Sequence, residues 1–242
     1  KTFTFGASGG GSIAFGGSSH RVNGNTLFVT TGGATSFITG QLLDLGSPTY
    51  NVADGPDDVD LQVSNSHNRG GIIKSGAGTL RLTNTANNLQ TYPIDINAGV
   101  LELGGAGRLK NGNYSANITN DGIFRHNSTN DQILNGIISG TGAIEKDNTS
   151  TLTLTGASTY TGDTTVSDGT LFLQGSLSAS TTVRIASAGV MQLDAGIDQT
   201  VGALYLGGNK KWAGTWGSTS SGAQYTDDTF FSGTGILRIL TS

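Results

Sequence analysis

The densest group of chemistry-bearing side chains in this 242-residue chain is Asp54-Gly55-Pro56-Asp57-Asp58-Val59-Asp60. The carboxylates of Asp54, Asp57, Asp58 and Asp60, gathered about a Gly-Pro turn, could supply oxygen ligands to Ca²⁺, although their spacing departs from the D-x-D-x-D-G loop. Asp, Gly and Pro are also the residues that turns select, so a solvated turn is the competing expectation. No other cofactor is expected. Paired carboxylates could instead cleave a polysaccharide, which needs two acids about 5 to 10 Å apart across a groove. The candidates are the Asp54 to Asp60 cluster, Asp163 with Asp168, and Asp227 with Asp228. The last pair are neighbours, and neighbours on a strand point to opposite faces.

Other chemistries find less support. His20, His67 and His126 lie far apart, with neither H-x-x-x-H spacing nor a G-x-S-x-G serine. Cysteine is absent, which removes disulfides, thiolate metal sites and thiol nucleophiles. Trp212 and Trp216, in a Gly-rich segment, could stack on sugars or could pack over the end of the fold. Four Asn-x-Ser/Thr matches, at Asn113, Asn117, Asn127 and Asn148, are about what the 18 asparagines give by chance. Net charge is −4 and the 13 basic residues are scattered apart from Lys210-Lys211, so nucleic acid is not an expected partner. No catalytic residue set emerges.

The elements that must carry these residues are strands. Apolar residues alternate with polar ones in Thr79-Leu80-Arg81-Leu82 and Thr151-Leu152-Thr153-Leu154, which is the period of a strand with one buried face. Gly is 39 of 242, Ser and Thr make up about a quarter of the chain, and only Glu102 and Glu145 among the 17 acids are Glu. Asp and Asn favour turns whereas Glu suits helices, so turns should be many and helices few. No apolar run reaches transmembrane length, so no membrane span is expected. The chain opens without an initiator Met or signal peptide, as a mature or excised product would.

Self-similarity organises the chain. Ile72 to Thr83 (IIKSGAGTLRLT) parallels Ile144 to Thr155 (IEKDNTSTLTLT) at an offset of about 72 residues, and Ile94 to Leu103 parallels Thr164 to Leu173 at about 70. Ile138 to Ile144 (ISGTGAI) is echoed by Phe231 to Leu237 (FSGTGIL). Glycines at 99, 122, 169 and 189 suggest coils of roughly 20 to 24 residues, within the range of solenoids. The expected fold is therefore all-β, a parallel β-helix (β-solenoid) of roughly 11 coils, with like residues stacked over like. It is read as one domain over 1–242: divergent coils over 1–70, clear repeats over 71–200 and closing coils over 201–242. Lys74 and Lys146, at equivalent positions, are expected to be exposed strand-start residues that discourage wrong edge pairing.

These residues resemble the autotransporter-associated β-strand repeat of bacterial passenger proteins, whose pattern runs approximately K-x-G-x-G-T-L-x-L-x-G-x-N-x-Y-x-G-x-T-x-V-x-x-G-x-L. Lys146 to Leu171 follows it closely, with Asn148 to Ser150 in place of Gly-x-Gly and Asp163 where a second Gly is common. Lys74 to Leu101 follows with Asn87, Tyr92 and Gly99. The tail, with Ala213-Gly214-Thr215-Trp216-Gly217, is similar to the closing segment of large bacterial surface proteins. The resemblance implies that the β-helix is right-handed, and it implies secretion and a location outside the cell or on its surface, but no activity. Strand-like ends, Thr2, Phe3, Thr4 and Phe5 at one terminus and Ile236, Leu237, Ile239 and Leu240 at the other, suggest head-to-tail contact between copies and hence a fibre. An adhesin contacting surface glycans and a polysaccharide-cleaving enzyme are the alternatives.

Overall fold

Strands too short to hold themselves must stack on others, and here each alternating segment finds its partner about one coil away in sequence. A computed structural model of the chain describes residues 2–5, 10–22, 26–44, 46–64, 70–85 and 92–240. The fold is a parallel β-solenoid of about eight turns, fewer than the coil spacing suggested. Successive strands of the first sheet begin 20 to 25 residues apart, close to the expected coil, so the difference arises at the C-terminal end, where antiparallel pairings at Asn209–Lys210 and Gly214–Gly217 take up chain without adding coils.

The coil has three sides. The first is the seven-stranded sheet Thr2–Phe5, Leu27–Thr30, Thr49–Asn51, Ile72–Ser75, Ile94–Ile96, Ile118–Asn120 and Ile138–Ser139. The second runs through Leu61–Val63, Thr79–Leu82, Val100–Gly105, Ile123–Ser128 and Ala143–Lys146. The third holds Asn113–Tyr114, Gln132–Leu134 and Thr151–Leu154. Long strands, Thr164–Leu173 and Thr182–Leu193, pass from the second side to the third and join them into one sheet. Inward residues stack in register; on the second side Leu82, Leu103, His126, Lys146, Val166 and Ile185 form one column. On the first side Phe3, Phe28 and Tyr50 stack ring on ring at 5.3 and 5.0 Å.

The copies of the sequence repeat do not stack over one another as expected. The segment after Lys74 turns from the first side to the second, whereas the segment after Lys146 turns from the second to the third. Seventy-two residues is three coils and one further side. The echo at Ser139-Gly140 again turns from the first side, while Ser232-Gly233 turns from a strand paired on the third side to one paired with Asp198–Val201. At all four corners the second residue has positive φ: Gly76 at 77°, Gly140 at 105°, Asn148 at 69° and Gly233 at 82°. The repeat encodes a left-handed corner residue, which Gly and Asn adopt most cheaply, and the fold uses that corner on each edge of the triangle.

Coils touch most closely at the corners. A Cβ added to Gly122, Gly142 or Gly162 would sit 2.4, 2.2 or 2.3 Å from the carbonyl oxygen of Gly99, Gly122 or Gly142, the glycine one coil earlier. Strand spacing of about 4.8 Å leaves no room there for a side chain.

The C-terminal segment closes the stack differently. Asn209–Lys210 folds back antiparallel on Ala203–Leu206, and Ile236–Ile239 lies between Asp198–Val201, parallel, and Gly214–Gly217, antiparallel. Of the stretch expected as closing coils, Ala203–Leu206, Asn209–Lys210 and Phe231–Gly233 stay on the large sheet, while Gly214–Gly217, Tyr225–Thr226 and Ile236–Ile239 join Asp198–Val201 in a mixed four-stranded sheet. The ladder predicts that Gly142→Ala lowers the unfolding midpoint with a loss on the order of 1–3 kcal/mol, whereas Thr119→Ala, at an exposed strand position, costs less; thermal denaturation of the two variants checks this.

Candidate functional site

The acidic segment does not converge on one point. Asp60 is buried, and its carboxylate accepts the amides of Gly55 at 2.7 Å and Thr79 at 2.8 Å. Asp57 accepts the amide and hydroxyl of Thr35 at 2.8 and 3.1 Å. Two of the four carboxylates therefore staple loop to strand, while Asp54 and Asp58 stand exposed. Among the described residues no three His, Asp or Glu side chains group closely enough to hold a metal ion.

The other carboxylate pairs are likewise separately engaged. Asp163 pairs with Arg184 at 2.9 Å, whereas Asp168, five residues on, accepts the Gly169 amide at 2.6 Å. Five residues of strand span on the order of 16 Å, beyond the reach of paired acid catalysis. Asp228 accepts the amide and hydroxyl of Thr219, both at 2.8 Å, which holds its carboxyl below the usual range. Asp227 accepts the Thr229 amide at 3.0 Å.

Sequence reasoning missed the charge ladder on the outward face of the second side. Register brings Arg81, Glu102, Arg125 and Glu145 into one row. Arg81 Nε meets Glu102 Oε1 at 2.7 Å, Arg125 lies 3.5 Å from Glu102 Oε2, and Arg125 Nε meets Glu145 at 2.7 Å. Glu102 is only 1% exposed. The Asp54 to Asp58 loop stands beside this row and forms with it an open polar groove of about 440 Å³. The signal was present only as charges one coil apart, and reading it required the register.

Lys74 and Lys146 are fully buried, contrary to the exposed placement expected of them. Lys74 Nζ donates to the carbonyls of Ser75, Gly76 and Ala98 at 2.9, 2.7 and 3.1 Å. Lys146 Nζ donates to those of Asp147, Asn148 and Asp168 at 2.8, 2.5 and 3.1 Å. Each ammonium thus ties its own corner to the corner one coil later, and its three protons match three carbonyls that the left-handed turn aims inward. Burial lowers both ammoniums to about 8, with Asp60 opposing it at Lys74 and Asp168, Asp147 and Asp131 opposing it at Lys146.

His126 lies in the interior column directly before Lys146. It is fully buried, and neither ring nitrogen has a hydrogen-bond partner among the described residues. Burial, and then the Lys146 charge, push it down to about 4, against the Asn130 backbone and Asp131. Of the other histidines, His67 and the His20 side chain lie outside the described residues.

The two tryptophans part company. Trp216 is 8% exposed, stacks on Tyr225 at 4.6 Å and donates Nε1 to the Trp212 carbonyl at 3.0 Å. Trp212 is 72% exposed. Ile236, Leu237 and Ile239 sit in a strand paired on both sides, and Leu240 projects beyond it.

Among protein families, the Passenger-associated-transport-repeat matches residues 72–103 and 144–171. These are the two segments whose lysines cap their own corners. The chain thus carries two copies of a repeat found in autotransporter passengers. Comparison with curated proteins and with solved structures gave no match. In both repeats the motif residues, Lys, the left-handed corner, the Thr-Leu strand and the later Gly99 or Gly169, go into holding coil on coil. Among the described residues no helix is long and apolar enough to cross a membrane.

Two outcomes follow from the buried bases. Lys146→Met keeps the stem but leaves three inward carbonyls short of a donor, and is expected to lose on the order of 3 kcal/mol in thermal or urea unfolding. A histidine whose folded value is about 4 against an ordinary 6.5 disfavours the charged form in the fold. Its neutral state therefore supports the fold fully above pH 6.5, and that support is lost as pH falls through 4. The melting temperature should drop over this window by more in the native chain than in His126→Leu, whose leucine matches Leu103 one coil earlier.

Proposed function

We propose that the chain is a non-catalytic structural segment of a bacterial surface or secreted protein, a rigid rod that extends end to end by strand addition between copies. The observation that carries this reading is that the residues defining the repeat are spent inside the stack as corner and core. A motif conserving such positions propagates a scaffold; it presents nothing to a substrate. Of the carboxylates proposed for glycan cleavage, Asp57, Asp60, Asp163, Asp168, Asp227 and Asp228 are engaged in separate loop and strand contacts, which favours the non-catalytic reading further. At about 4.8 Å per coil, eight coils give a rod roughly 40 Å long.

The N-terminal end supports extension. Among the described residues Thr2–Phe5 pairs on one side only, with Leu27–Thr30, and Ser12–Val22 pairs only with Ser36–Asp44. Phe3 is half-buried and is the outermost ring of an aromatic stack. Such an edge offers a row of amides and carbonyls to another strand. At the opposite end Ile236 to Ile239 are already paired on both sides, so the partner strand from the next copy is better sought in Phe231–Gly233, which among the described residues pairs with Met191–Leu193 alone. Heterologous contact of this kind does not close and gives filaments.

Negative-stain electron microscopy over a rising concentration series is the test. Rods that lengthen in multiples of one chain, and that Phe3→Lys returns to single length, are expected. Single rods at every concentration, or filaments indifferent to Phe3→Lys, would remove the self-assembly reading.

A further inference from the structure

Trp212 and Leu240 are the two most exposed large hydrophobic side chains among the described residues, at 72% and 68%. They flank the same end of an antiparallel pair, because Ile239 lies opposite Gly214. The backbone at Trp212 is braced on both sides: the Lys211 amide donates to Leu204 O at 2.9 Å, and the Trp212 carbonyl accepts Trp216 Nε1 at 3.0 Å. The indole is therefore held out from the fold by a fixed main chain.

Beside it the charge reverses sign. Lys210 is exposed and Lys211 is half-buried, its ammonium 5.6 Å from the Trp216 ring. Neither lysine has a carboxylate partner among the described residues. Tyr205, opposite Lys210 in the hairpin, carries Arg184 over its ring at 4.2 Å; Asp163 compensates that guanidinium at 2.9 Å, so the two lysines supply the free positive charge. On a chain of net charge −4, this hairpin is a small cationic spot around an open aromatic face.

The geometry points to a binding platform for an acidic polysaccharide. The indole would take the apolar face of a sugar ring, and Lys210 and Lys211 would pair with its carboxylates. This chemistry fits a linear glycan better than an anionic membrane. Interfacial docking sinks a broad apolar face into lipid, whereas here one indole and one leucine stand alone on a polar rod.

The test uses the whole chain in affinity electrophoresis through gels containing alginate, with dextran as the neutral control. Retardation by alginate but not dextran is expected, weakening as salt is raised. Trp212→Ala should weaken binding about tenfold, Trp212→Phe should restore part of it, and Lys210→Gln with Lys211→Gln should abolish it. Because the Trp212 side chain is exposed and only its carbonyl is used by the fold, circular dichroism and melting of Trp212→Ala should match the native chain. Equal retardation by dextran, or alginate binding unchanged in both sets of variants, overturns the proposal. So does co-sedimentation with phosphatidylglycerol vesicles without alginate binding, which would make the hairpin a membrane contact.

Discussion

Everything in this fold depends on how closely one coil can lie on the next at the corners of the triangle. Along the sides, parallel strands set their own spacing through backbone hydrogen bonds. At the corners the chain must reverse within a few residues and still keep that spacing. Left-handed residues at Gly76, Gly140, Asn148 and Gly233 make the reversal, and glycines such as Gly122 and Gly142 let the next carbonyl come in where a side chain would stand. The apolar columns fill only because the corners hold the register. The glycine content that sets this composition apart is a packing requirement first.

The sequence made the fold class legible, since strand alternation, turn-forming acids and the 72-residue offset all spoke for a solenoid. The number of coils was less so, because the hairpin at Asn209–Lys210 and the antiparallel return of Gly214–Gly217 use the same short alternating segments as the coils. Nor could the offset reveal that it was not a whole number of coils; that depends on the length of each side. The burial of Lys74 and Lys146 was hidden for a related reason. Their third partners, Ala98 and Asp168, are backbone carbonyls 24 and 22 residues away, and a carbonyl leaves no trace in residue type. In the Asp54 to Asp60 segment, the division of labour between Asp60, inside, and Asp58, outside, depends on which amides lie within reach.

Two buried charges and an unpartnered imidazole are costly contents for a core. The lysines repay this through geometry: an ammonium with three fixed acceptors tolerates only one placement of the next coil, so a slip of one residue would strand it. His126 has no such compensation, and it interrupts a column that is otherwise leucine, valine and isoleucine next to the Lys146 ammonium. The interior is thus uneven along its length, tightly specified at the lysine corners and sensitive to proton concentration beside one of them.

The interchangeability of the three corners has a consequence for how such rods grow in evolution. A duplicated stretch that ends on a different edge from the one on which it began rotates whatever follows by a third of a revolution. Successive copies would then wind their projecting loops around the shaft like steps on a spiral stair, in place of a single crest, and a shaft lengthened in this way displays its ornaments in every direction.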